Sequence, residues 1–176
     1  MSTQRLVGVL VVVALLVLGL SAYLTWTSAD PGNGRAVVRL DGYDVTRAPL
    51  SLALASVVAA VVLQLVGTTT RRVLSALILL HGVVTVVVAL RVRPDAAELA
   101  RLRPELGSVL TDHVEVTIGP APWLALTGGV FLVAAGVLGL LTASRWARPT
   151  ARYERRPAAH PQDQWKAIDA GEDPTI

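Results

Sequence analysis

The side chains that could do chemistry in this 176-residue chain are few, and the most suggestive one sits inside an apolar run. His81 interrupts the uncharged stretch from Val73 to Leu90. Eight residues in from Val73, at about 1.5 Å per residue, it lies roughly 12 Å along a helix, near the middle of a bilayer. An ionisable group at that depth lines a polar path or binds an aromatic or acidic ligand, or else it is a neutral imidazole hydrogen-bonded to Ser51, Ser56 or Thr85 between packed helices. Spacing alone leaves both open. Gln64, near the end of the preceding run, reads as interhelical glue with Ser75. His113 in "TDHVE" stands beside Asp112 and Glu115 without a second histidine or a cysteine, so it reads as an exposed loop residue rather than a metal ligand. Cysteine is absent, which removes thiolate chemistry and disulfides. With no nucleophile paired to a base, no phosphate loop and no ligand spacing, we expect no catalytic residue, no metal and no cofactor, and thus not an enzyme.

The elements that must position these residues are long and apolar. Hydrophobic residues make up 53% of the chain and the mean hydropathy is +0.56, more than a soluble domain of this size would bury. Four runs are long enough to cross a bilayer: Leu6 to Trp26, Pro49 to Gly67, Val73 to Leu90 and Pro122 to Thr142. All four should be helices, because lipid offers no partner to an unpaired backbone group. The expected fold is an all-α integral membrane protein, with a four-helix membrane domain over 1–142 (spans near 6–26, 49–67, 73–90 and 122–142) and a basic juxtamembrane segment and polar cytoplasmic tail over 143–176. The first run is too long for the apolar core of a cleaved signal peptide and continues into Tyr23 and Trp26, so it reads as a retained helix. The fourth carries Ala125, Gly129, Gly136, Gly139 and Ala143 on one face, which suits close packing against the other helices or a second copy, so a homodimer stays open. The outer stretch with Leu99, Leu102, Leu106 and Leu110 is either a short surface helix or a solvated connector interrupted by Pro104.

Arginine sets the orientation. The short link "TTTRR" carries Arg71 and Arg72, and Arg145 to Arg156 follow the fourth run, which puts both on the cytoplasmic side. Both termini then lie inside a plasma membrane, with nine Lys and Arg inside against seven outside. Trp26 and Trp123 at outer helix ends, Trp146 at an inner end and Arg152 and Tyr153 beyond it read as interface anchors against the lipid bilayer.

The tail ends in "QWKAIDAGEDPT". Asp163 can cap and Gly171 can end a short helix there, with Trp165 and Ile168 on one face and Glu172 and Asp173 in an acidic turn. So short a helix is not stable alone in water, so it should dock on a partner. The acidic turn opposes an anionic leaflet and favours a cytoplasmic protein with a basic patch. Nucleic acid is not expected as a partner.

Two stretches, "RWARPTARYER" from Arg145 to Arg155 and "QWKAIDAGEDPT" from Gln164 to Thr175, carry a resemblance. With the Thr25-Trp26 close of the first run and the Pro122-Trp123 start of the fourth, the chain resembles the tryptophan-associated (trp operon-associated) transmembrane protein family of actinobacteria over nearly its whole length. It departs from the family at Gln164, where leucine is usual, and His81 is not among the family's features. The resemblance implies four plasma-membrane helices and a link with tryptophan metabolism. Two functions are compatible with it: an interaction or accessory protein whose tail recruits a cytoplasmic partner, and a small transporter or exporter of tryptophan or an aromatic precursor using His81.

Overall fold

Inside hydrocarbon each backbone N–H and C=O must be satisfied within the protein, and a charge-free run does this by coiling into a helix. The computed structural model of the chain describes residues 3–30, 37–92, 97–98, 101 and 115–146, all within the unit Met1–Trp146. In chain order the elements are α1 (Thr3–Tyr23), β1 (Thr25–Asp30), β2 (Val38–Asp41), α2 (Gly42–Val45), α3 (Ala48–Val62), α4 (Thr68–Arg91), β3 (Glu115–Ile118) and α5 (Ala121–Thr142), which tightens into a 3-10 turn at Ala143–Arg145. α1, α4 and α5 with its 3-10 turn are long and apolar enough to cross a membrane.

α3 is shorter than the run predicted over 49–67. Its 15 residues rise about 22 Å, short of a hydrocarbon thickness of about 30 Å. Beyond Val62 the backbone tightens, with Gln64 N–H donating to Val61 (3.1 Å) and Leu65 N–H to Val62 (2.9 Å), because the chain must reverse direction before Thr68. α4 in turn begins five residues earlier than Val73, so the "TTTRR" link is the first helical turn rather than a loop. Its polarity marks where the helix leaves the apolar layer, not where it starts.

The helices alternate in direction and form a ring in which α1 packs on α3 and α5, and α4 packs on α3 and α5. The tightest seam is α4 on α5. A Cβ on Gly136 would lie 2.5 Å from the Leu79 backbone nitrogen, and one on Gly82 would lie 2.5 Å from that of Val133, so neither position accepts a side chain without separating the helices. The small face predicted on the fourth run is therefore used inside the chain: Ala125, Gly129, Gly136 and Gly139 are buried.

The expectation of an all-α protein is corrected by a three-stranded antiparallel sheet, ordered β2-β1-β3, at one end of the bundle. β1 pairs Thr27 with Leu40 on one side and Ile118 on the other, closing two distant connections onto each other. The residues of β1 and β3 agree with this: "TWTSAD" and "EVTI" are rich in β-branched and aromatic side chains, and a paired sheet satisfies backbone groups that a loop would leave to solvent. Ala29 and Leu40 form a small core with Val38, Val45 and Val116.

Candidate functional site

The predicted site residues fall in three places. Two of the tryptophans expected at headgroup depth are inside the protein. Trp26 sits at a bulge, where β1 pairs Thr25 with Asp41 but Thr27 with Leu40, and the extra residue turns its ring into the main core at 2% exposure. Its indole N–H donates to the Val92 carbonyl at the end of α4 (3.0 Å), and its own carbonyl accepts from Gly119 N–H (2.9 Å). Ser21 beside it donates to the Ala121 carbonyl at the start of α5 (2.8 Å). Trp123 differs from Trp26, being 64% exposed in the first turn of α5.

At the opposite end lies a cluster that draws on all four long helices. Arg71, in the first turn of α4, is 1% exposed. Its Nε donates to the carbonyl of Leu63, which caps α3, at 3.1 Å, and its Nη1 donates to the carbonyl of Trp146, which ends the 3-10 turn after α5, at 3.2 Å. Both acceptors are helix-terminal carbonyls with no partner in their own helix, at the negative ends of two helix dipoles. A buried cation is stabilised by both. The guanidinium also lies 5.7 Å from the centre of the Trp146 ring. Trp146 is itself buried, at 7% exposure, and its indole N–H is shared between Thr3 of α1 (3.1 Å) and Thr142 (3.0 Å). Trp146 thus joins protein rather than meeting lipid, and Arg71 is a knot between helix ends rather than only a charge beside a short link. Arg72, its neighbour, is exposed.

Mid-membrane, His81 bridges α4 to α3 through Nδ1 and the Ser56 hydroxyl (2.9 Å). Ser56 also gives its hydroxyl proton to the Leu52 carbonyl (2.8 Å). Of the three partners offered by the sequence, Ser56 is the one bonded to the ring, while Thr85 donates to the His81 backbone carbonyl (2.9 Å).

The predicted Gln64–Ser75 contact does not form. Ser75 points into the α4–α5 seam against Gly139, and its buried hydroxyl has no hydrogen-bond partner among the described residues. Gln64 is exposed, because it follows the helical part of α3 and turns outward, where it lines a groove of about 850 Å³ between α1 and α3 with Gln4 and Arg5. His113, Arg152, Tyr153, Trp165, Ile168, Glu172 and Asp173, and the leucine stripe from Leu99 to Leu110, lie outside the described residues.

Apolar helices packed through glycine, with lipid-facing leucine and valine and knotted ends, define a polytopic helical membrane protein. A family model described as "tryptophan-associated transmembrane protein" matches residues 5–175. The chain belongs to that family. No curated protein matches it.

Sequence reasoning missed Arg71 and Trp26 as structural centres. An arginine in the first turn of an apolar helix, directly after another helix ends, was the available signal for the first. The Thr-Trp-Thr alternation was the signal for the second.

Proposed function

We propose that this tryptophan-associated membrane protein is an accessory protein without catalytic activity, which presents its C-terminal tail to a cytoplasmic partner linked to tryptophan biosynthesis. The observation that carries this reading is the hold on Trp146. A buried arginine and a shared indole bond fix the residue after which the tail begins, which gives a recruiting segment a defined base. The remainder of the reading is a plasma-membrane protein of four spans. Ala48 to Val66 supplies enough apolar length for the second once its tightened turns are included. An even number of spans places both termini on the side of Arg5, Arg71, Arg72 and Arg145, the cytoplasm by the positive-inside rule. Capture of a cytoplasmic protein by crosslinking and pull-down should be lost in Trp165→Ala while membrane insertion is unchanged. A Trp165→Ala chain that captures the same protein equally well would end the recruitment reading.

A second reading, a small exporter or transporter of tryptophan or an aromatic precursor, is favoured by one feature: a titratable side chain, His81, at the middle of α4 and hydrogen-bonded to Ser56 of α3. Growth in toxic tryptophan analogues, with and without the gene, separates the two. A changed tolerance that His81→Phe abolishes belongs to transport alone.

A further inference from the structure

The α1–α3 side of the bundle is closed over only half its height. From Gln4 to Val13 on α1 and from Val57 to Gln64 on α3, the helices stand apart around a groove of about 850 Å³. Further along, Leu18, Ser21 and Ala22 of α1 come together with Pro49 and Leu50 of α3 around a void of only about 10 Å³, and the gap is nearly shut. Gln4 to Val13 rises about 14 Å, close to half of a hydrocarbon core of about 30 Å. The groove therefore has the depth of one leaflet. A spanning helix of another chain would need the seam open along its whole length.

Polarity runs one way along it. The floor is Gly8, Ala60, Val61 and neighbouring valines, while Gln4, Arg5 and Gln64 all sit at the mouth. Arg5 is the only charged residue among those lining the groove, and none of the three polar side chains has a hydrogen bond or ion pair among the described residues. An exposed guanidinium and two amides at headgroup depth, above an apolar slot, match an amphiphile with one anionic head.

We propose that the α1–α3 groove is a binding site for one anionic phospholipid of the adjacent leaflet, its acyl chain lying along Gly8 and Ala60 and its phosphate held by Arg5 with Gln4 and Gln64. The site is independent of the tail and of His81.

The test uses the full chain reconstituted in bilayers of equal phosphatidylglycerol and phosphatidylcholine, extracted in mild detergent and weighed by native mass spectrometry. One retained phospholipid per chain is expected, enriched in phosphatidylglycerol. Arg5→Gln should cut that enrichment roughly fivefold, the worth of one interfacial charge. Gly8→Phe should remove the bound lipid, since a Cβ at Gly8 meets nothing within 4 Å and the ring can fill the slot. Leu141→Phe, at an exposed position elsewhere on the bundle, should retain the lipid. Retention unchanged in Gly8→Phe together with enrichment unchanged in Arg5→Gln would reduce the lipid to ordinary bilayer contact and overturn the site. So would a lipid-free dimer that Gly8→Phe dissociates. Should Gly8→Phe fail to insert, the Arg5→Gln enrichment decides alone, as that change is confined to an exposed head.

Discussion

Replacing Arg71 by methionine tests whether this arginine is a structural knot or a topological charge. The substitution keeps the volume of the stem but removes the charge-assisted hydrogen bonds to the carbonyls of Leu63 and Trp146 and the guanidinium contact with the Trp146 ring. Bonds of this kind contribute about 1.5–3 kcal/mol each and the ring contact about 1 kcal/mol, against several kcal/mol for stripping water from the cation. The two carbonyls left behind are helix-terminal and buried, and each unsatisfied one costs about 1–3 kcal/mol. A net loss of about 3 kcal/mol follows, or roughly 6–12 °C in the thermal midpoint of a chain this size. The assay is the melting of detergent-solubilised protein followed by size-exclusion chromatography, with Arg72→Met as the control. Arg72 is exposed on the same helical turn and carries the same charge, so its loss should move the midpoint by less than about 2 °C. Arg71→Lys should fall between, because an ammonium cannot span two carbonyls with a planar fork. Equal midpoints for the Arg71→Met and Arg72→Met proteins, or an Arg71→Lys protein as stable as the parent, would refute the knot.

Gly136→Val should destabilise by about 3 kcal/mol, since its Cβ would meet the Leu79 backbone; Gly19→Val, where a Cβ has open space, should change the same melting curve little. Ser75→Ala should raise the midpoint, by the equivalent of about 1 kcal/mol, because it removes a buried hydroxyl that no group among the described residues satisfies; a lower midpoint would mean that the hydroxyl has a partner.

The four helices were legible because absence of charge over a bilayer's length leaves a chain one solution. Their ends were not, since apolar length reports where lipid is, while helix ends are set by backbone hydrogen bonding. Thus "TTTRR" is helical although polar, and Gln64 is past the regular helix although it follows an apolar run. The tryptophans show the same limit more sharply. An amphipathic ring at the end of a span fits headgroup depth equally well whether it faces lipid or protein, and the partners that decide are far along the chain: Val92 for Trp26 and Thr3 for Trp146. The Ser56–His81 bond was among the options because both residues sit at similar depth on adjacent helices. The sheet was missed because its strands are four to six residues long and β3 joins β1 only after α3 and α4 have intervened in the sequence.

The two ends of the bundle meet one physical demand with different materials. A helix that stops near the membrane surface leaves carbonyls without partners at its C-terminus, and both ends of the bundle supply donors to them from side chains: Trp26 to Val92 at the sheet end, Arg71 to Leu63 and Trp146 at the other. Along the sides the helices are not held equally. α4 and α5 approach as closely as glycine allows, so any sliding between them would force backbone against backbone. α1 and α3 share a seam that is nearly shut toward the sheet and open from Val13 toward Gln4, where no side-chain hydrogen bond joins them among the described residues. With the ends tied and the α4–α5 seam closed through glycine, α1 and α3 are left with an open groove between them at the end that Arg5 and Gln64 line.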